Sequence, residues 1–260
     1  MKWFIALSIT IAAISAHADT TIYEKQYDGF TLWLDCNKHG AIAFKYELGK
    51  DEGNIERSGH SFKIDESIPA NCQPSSTATF RNETVDINRT GTYDIGHLVP
   101  ANHMENSLQS YKDSFYMSNV LPQQTKFNRN GGAWFYTEVI SECFRDVTNL
   151  TIWGGVIWGE DTSDDFFFGS HDVATPDYWW KLIKRHDSGD FIAWLFPNKK
   201  TTKKRNIDEF IVSIEELVSE IKFVPNFGIS QDRHHYKPDT SWKVTGSTIL
   251  KCEGISTPNS

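Results

Sequence analysis

The first limits on this 260-residue chain come from what it lacks. It has no C-x-x-C pair and no cluster of cysteine and histidine at zinc spacing, so nothing in it reads as a zinc site. After residue 18 no apolar run approaches the ~20 residues that a membrane-spanning helix needs. Repeats and low-complexity tracts are missing. Positive charge is also in short supply, because 26 Lys and Arg stand against 34 Asp and Glu, a formal net charge of −8. That balance argues against a stoichiometric coat for a polyanion, since phosphate contacts need Lys and Arg. An enzyme that must release its product needs only a local basic groove.

The chain opens with MKWFIALSITIAAISAHA, in which Lys2 precedes an apolar run over 3–14 and Ala16-His17-Ala18 follows. A positive start, a short apolar core and an A-x-A end predict a secretory signal peptide cleaved after Ala18. The expected mature product is one soluble domain over 19–260, secreted or periplasmic, with the tail after about residue 253 disordered. In an oxidising compartment the four cysteines, Cys36, Cys72, Cys143 and Cys252, suggest two disulfides. Of the three connectivities, Cys36–Cys72 with Cys143–Cys252 is preferred, because sequence-near pairs form within one substructure.

FTLWLD (30–35) and GAIAFKYEL (40–48) read as two strands joined by a turn. The stretch 49–92 is polar and rich in turn residues, so a long loop is expected, held by Cys72. TYDIGHLV reads as a strand, MENSLQSYKDSFYMSN as rich in helix formers, and VLPQQTKFNRNGG as a loop. In AWFYTEVISECFRD, Trp134, Glu138 and Glu142 recur at helical spacing. LTIWGGVIWG reads as a buried strand, and DYWWKLIKR and DFIAWLFPN as a hairpin. Ser213 and Glu216 have the spacing of a capping box opening EELVSEI. Strands dominate without regular βαβ alternation, so the expected class is α+β.

Residues 92–103, TYDIGHLVPANH, place Asp94, Gly96 and His97 on a predicted strand, where Asp and Gly are both disfavoured. Downstream, Asn128 and Asn130 lie in a glycine-rich loop just before a helix that carries Glu138. Histidine offers a base near neutrality. An amide oxygen and a carboxylate suit a hard cation such as Mg²⁺. The arrangement fits metal-assisted hydrolysis.

The same residues carry a family pattern: Asp94-x-Gly96-His97-Leu98-x-Pro100, then Ser118-Asn119-x-x-Pro122-Gln123, then Trp134-x-x-x-Glu138. Together they resemble the DNA/RNA non-specific endonucleases of the ββα-metal (His-Me finger) superfamily, over roughly residues 90–225. The resemblance implies a central antiparallel sheet with flanking helices and long loops. It implies hydrolysis of DNA and RNA with little sequence preference, leaving 5′-phosphate ends. His97 would be the general base and Glu138 would act through a metal-bound water. Asn119 would support the site by hydrogen bonding, and Mg²⁺ (or Mn²⁺ or another divalent cation) would be held by Asn128. Neither a membrane nor an obligatory protein partner is implied.

The sequence departs from the pattern twice. Ile95 stands where the family has an arginine directed at the phosphate, which leaves open a weakened or inactive homologue that only binds nucleic acid. Arg89, Arg129 or a nearby lysine is the candidate replacement, with Asp94 and Arg129 assigned to substrate binding. Second, the spacing to Trp134 is two residues longer than the family's, so Asn130 is the alternative metal ligand. Asp161, Asp164 and Asp165 read as a solvated acidic loop, and His234-His235 as an exposed segment. Lys199, Lys200, Lys203, Lys204 and Arg205 read as a solvated face that also has the charge to steer a polyanion.

Overall fold

A computed structural model describes residues 22–53, 55, 59–81 and 92–244. The expected signal peptide, Arg89, Cys252 and the expected disordered tail lie outside these residues. The described chain opens with strands β1 (Ile22–Tyr27), β2 (Phe30–Asp35) and β3 (Gly40–Leu48), of which β2 alternates Phe30, Leu32 and Leu34 inward. Later come β4 (Tyr93–His97), α1 (Leu108–Asp113), β5 (Val120–Gln124), α2 (Thr125–Asn128) and α3 (Ala133–Arg145). They are followed by β6 (Leu150–Ile157), α4 (Phe168–His171), β7 (Tyr178–Arg185), β8 (Phe191–Pro197), β9 (Ile211–Val212) and α5 (Ile214–Glu220).

Seven strands form one sheet in the order β1-β2-β3-β6-β7-β8-β9, with every described pairing antiparallel. The edges are β1, which carries Glu24 and Lys25, and the two-residue β9. β4 and β5 make a separate two-stranded antiparallel sheet. α3 packs on the large sheet through Trp134, whose ring meets that of Trp179 edge-on at 5.0 Å. The result is the expected α+β arrangement.

The β2 and β3 readings match the strands residue for residue, and the capping box at Ser213 and Glu216 opens α5 as expected. VLPQQTKFN is a correction, because it is not a loop but strand β5 running straight into α2. Pro122 is tolerated there because its nitrogen, which has no hydrogen to give, faces the outer edge away from β4. On that side Asn198 Nδ2 donates to the Pro122 carbonyl (3.1 Å) and Asn198 Oδ1 accepts from the Gln124 amide (2.8 Å). Strands β1 and β9 have no counterpart in the sequence reading. The acidic loop is only partly solvated: Asp164 is half-buried, and the Tyr93 hydroxyl donates to it at 3.3 Å. Cys36 and Cys72 form the expected disulfide. Cys143 is disulfide-bonded as well.

Candidate active site

β4 brings its polar residues to the floor of a cleft of about 940 Å³. His97 ends the strand, and Gly96 before it lies so close to β5 that a Cβ would collide with the Gln123 side chain. The glycine that weakens a strand in isolation is what lets these two strands approach. The His97 ring rests against Phe62 (5.2 Å) and, edge-on, Phe115 (5.6 Å). Phe62 is delivered by the chain before Cys72: the Lys63 amide donates to the Phe115 carbonyl, and the Met117 amide returns a bond to the Lys63 carbonyl.

Asp94, two residues before Gly96, is the organising carboxylate. Its Oδ2 accepts from Asn128 Nδ2 (3.0 Å) and Arg129 Nε (2.9 Å), and its Oδ1 accepts from Arg129 Nη2 (2.6 Å) and the Thr125 hydroxyl (3.1 Å). One side chain on the strand thus fixes the end of α2, which explains why a strand-averse residue stands there. Arg129 is gripped bidentately, yet its side chain remains 69% exposed. The Asp94 carboxylate keeps the guanidinium above its already high range.

Glu138, one turn into α3, is 8% exposed and lines the same cleft, as do Asn128, Asn130, Arg129, Ile95 and Asp94. Behind it stands a buried chain. The Tyr46 hydroxyl lies 2.7 Å from His103 Nδ1, and His103 Nε2 lies 3.2 Å from Glu142 Oε2. Glu142 is also bonded by Arg145 Nη1 (3.1 Å) and by Asn102 Nδ2 (3.2 Å). Burial holds His103 below its usual range, and a carboxylate can only accept. The fitting tautomer therefore carries its proton on Nε2 and takes the tyrosine proton at Nδ1. This chain anchors α3 through Glu142 and Arg145, beginning one turn beyond Glu138, and steadies the helix that carries that carboxylate.

Asn119 is not brought into the cleft. It is 0% exposed, and its amide bonds the Val99 backbone on both sides (3.0 and 2.9 Å) and the Ser114 carbonyl (2.9 Å). Its own carbonyl accepts from Leu98. It anchors the chain just after His97 through these backbone bonds.

The donor set suits a hard divalent cation. Asp94 occupies the Asn128 NH₂ group, so the amide oxygen is left as the coordinating atom. No group of three or more His, Cys, Asp or Glu among the described residues forms a metal cage of its own. A cation here would keep most of its waters, as Mg²⁺ does when few protein ligands hold it. Asn130 also lines the cleft but has no such anchor to Asp94.

Sequence reasoning missed two residues near the site. Asn198 fastens β5, and Lys181 on β7 lies fully buried beneath α3. Lysine in WWKLIKR carries no positional signal, and Asn198 follows a proline at a strand end, where asparagine is ordinary.

The sequence profile of the DNA/RNA non-specific endonucleases matches residues 9–227. The chain belongs to that family. It is 29% identical to the mitochondrial nuclease EXOG of Mus musculus over 226 residues, 80% of this chain and 58% of that protein. It is 27% identical to the mitochondrial endonuclease G of Homo sapiens over 217 residues, 78% of this chain and 69% of that protein. The chain therefore spans only part of the length of these relatives. A chain of a solved EndoG/EndoGI complex superposes with a TM-score of 0.62 at 23% identity, covering 81% of this chain and 88% of that one. That likeness shows that the endonuclease fold is shared.

Proposed function

We propose that this family member is a divalent-metal-dependent endonuclease that hydrolyses phosphodiester bonds of DNA and RNA and is exported from the cell. The observation that carries the reading is the clamp at Asp94, which holds Asn128 and Arg129 in one cleft with His97 and Glu138. His97 is the base that takes a proton from the attacking water, and Phe62 and Phe115 fix the plane of its ring. Arg129, pre-oriented by Asp94, pairs with a non-bridging phosphate oxygen in place of the arginine that Ile95 lacks. Asp94 contributes to substrate binding through Arg129, since an anionic carboxylate facing a phosphodiester directly would repel it. Asn128, with Glu138 behind it, would hold the cation, which when bound supplies neutralising charge for the phosphate and the departing 3′-oxygen. The products carry a 5′-phosphate and a 3′-hydroxyl. Contacts of this kind read the backbone and not the bases, which is why little sequence preference is expected.

Export is supported by the leader pattern and by the Cys36–Cys72 bridge, which an oxidising compartment preserves. The reading of 19–260 as one domain is part of the same proposal.

The test is digestion of plasmid DNA and of RNA by the purified mature chain with Mg²⁺, Mn²⁺ or a chelator, beside His97→Ala. Metal-dependent cleavage of both polymers, lost in the variant, is expected. Equal residual cleavage by both proteins, or none by the wild type with any divalent metal, defeats the proposal. A second reading rests on Ile95, which lines the cleft where a guanidinium is expected. It predicts salt-sensitive retention of nucleic acid without cleavage.

A further inference from the structure

The segment after β8 folds back against the loop that carries the candidate metal ligands. Lys203 forms an antiparallel bridge with Gly132, the Lys204 amide donates to the Gly131 carbonyl (3.0 Å), and the Ala133 amide donates to Thr202 (3.3 Å). Gly132 is pressed against α2 as well, since a Cβ there would collide with the Phe127 carbonyl. It places the basic run at 203–205 directly beside Asn128, Arg129 and Asn130. A concavity of about 370 Å³ is lined by Gly131, Lys203, Lys204 and Arg205, and Gly131 directly follows Asn128, Arg129 and Asn130, which line the catalytic cleft.

The charges there are concentrated and held in place. Lys203 Nζ donates to the Lys126 carbonyl (2.8 Å), and Lys204 Nζ lies 4.1 Å from the centre of the Tyr136 ring. Burial, and then the nearby charges of Lys126 and Arg205, hold the Lys203 ammonium below its usual range. None of the four forms an ion pair with a carboxylate among the described residues. On a chain of net charge −8, a cationic cluster without an ion-paired carboxylate is a local exception. Such a field attracts and orients polyanions.

We propose that Lys126, Lys203, Lys204 and Arg205 form a ridge that binds the sugar–phosphate backbone of the strand leaving the catalytic cleft. This rests on the nuclease reading and adds a path for the polymer beyond the scissile bond. The ridge favours long substrates over short ones, because a dinucleotide fills the cleft without reaching it. It carries no base-reading group, so it adds affinity without sequence preference.

The test removes three charges together, Lys126→Gln, Lys204→Gln and Arg205→Gln, and leaves Lys203, whose ammonium holds the loop. A control removes the same charge elsewhere, at Lys38, Lys222 and Lys243. Binding of a long oligonucleotide is measured against salt in the His97→Ala background, so the result does not depend on turnover. In the ridge variant the log–log salt slope flattens by about 2, since each lost phosphate contact removes about 0.7–0.9, while the control keeps its slope. In the active background the KM advantage of a long oligonucleotide over a dinucleotide shrinks. Unchanged slope and length preference in a folded ridge variant, or an equal loss in the control, overturns the ridge. If the wild type cleaves nothing yet binds with a ridge-dependent slope, the catalytic reading fails and the ridge stands.

Discussion

The Nζ of Lys181 lies 3.7 Å from the centre of the Trp134 ring, and the lysine is 0% exposed. Trp134 precedes Glu138 by one helical turn. Burial pushes the Lys181 ammonium down to about 8 while the charge of Glu138 raises it, so the lysine lies within electrostatic reach of that carboxylate. The cation over the indole face and the carboxylate one turn on belong to one arrangement. Lys181→Met keeps most of the volume and removes the charge. It is expected to melt near the wild type while kcat falls about tenfold, a barrier change of roughly 1.4 kcal/mol. Lys181→Ala leaves a hole and is expected to cost about 2–5 kcal/mol of stability in denaturant melts. Full activity in the methionine variant would remove Lys181 from the account.

The two asparagines separate in a metal titration. Because Asp94 anchors only Asn128, Asn128→Ala is expected to raise the Mg²⁺ concentration for half-maximal activity by at least about tenfold. Asn130→Ala should leave it nearly unchanged. The reverse ranking would move the ligand to Asn130.

Arg129 is expected to replace the missing arginine at Ile95. Arg129→Ala should lower kcat/KM about a hundredfold, the scale of losing one donor aimed at developing charge. Arg129→Lys should recover only part of this, since one ammonium cannot reproduce the two-point grip on Asp94. Complete recovery with lysine would show that charge alone matters there.

Asn198 carries the outer edge of β5 with three bonds, the third to the Pro176 carbonyl at 2.9 Å. Asn198→Ala strands those buried groups, at a cost of about 2–3 kcal/mol. Calorimetry should find the midpoint roughly 4–12 °C lower.

Asp164 gives the fold a pH dependence. Its carboxyl is pushed up to about 7, by burial first and then by Asp161 and Asp177, against the hydrogen bond from Tyr93. A carboxyl raised in the folded state holds its proton more tightly there than in the unfolded chain, where it releases it near ~3.9. Its contribution is therefore complete below about pH 4 and disappears as pH rises through about 7. Asp164→Asn, which cannot ionise, should gain most on the wild type in thermal melts at pH 8, roughly a third as much at pH 5, and nothing further below about pH 4. The same gap at both values would show that Asp164 stays ionised throughout.

The core of the site was legible because its residues are chemically odd for their places. Asp94 and Gly96 break strand preferences, and both departures have physical reasons in the Asn128–Arg129 clamp and the approach to Gln123. Helical periodicity made α3 readable, and the turn residues His186-Asp187-Ser188-Gly189 between two apolar runs made the hairpin of β7 and β8 readable as well. β5 was hidden because Pro122 and two glutamines look like a loop, and its partners, β4 and the distant Asn198, are not visible in the local sequence. Asn119 was expected to support the site by hydrogen bonding, and its side chain braces the backbone just after His97. A sequence pattern gives a residue's company without saying which of its neighbours it touches.

The two edges of the large sheet bear on the behaviour of the protein at high concentration. Exposed strand edges invite pairing between copies, and proteins blunt them with charge or brevity. Here β1 carries Glu24 and Lys25, and its Lys25 and Tyr27 side chains are engaged by Ser67 and Asp65 of the following loop. The opposite edge, β9, is two residues long. Neither edge offers a bare apolar ribbon on which a second molecule could build, so concentration alone gives this sheet little route to fibrous stacking.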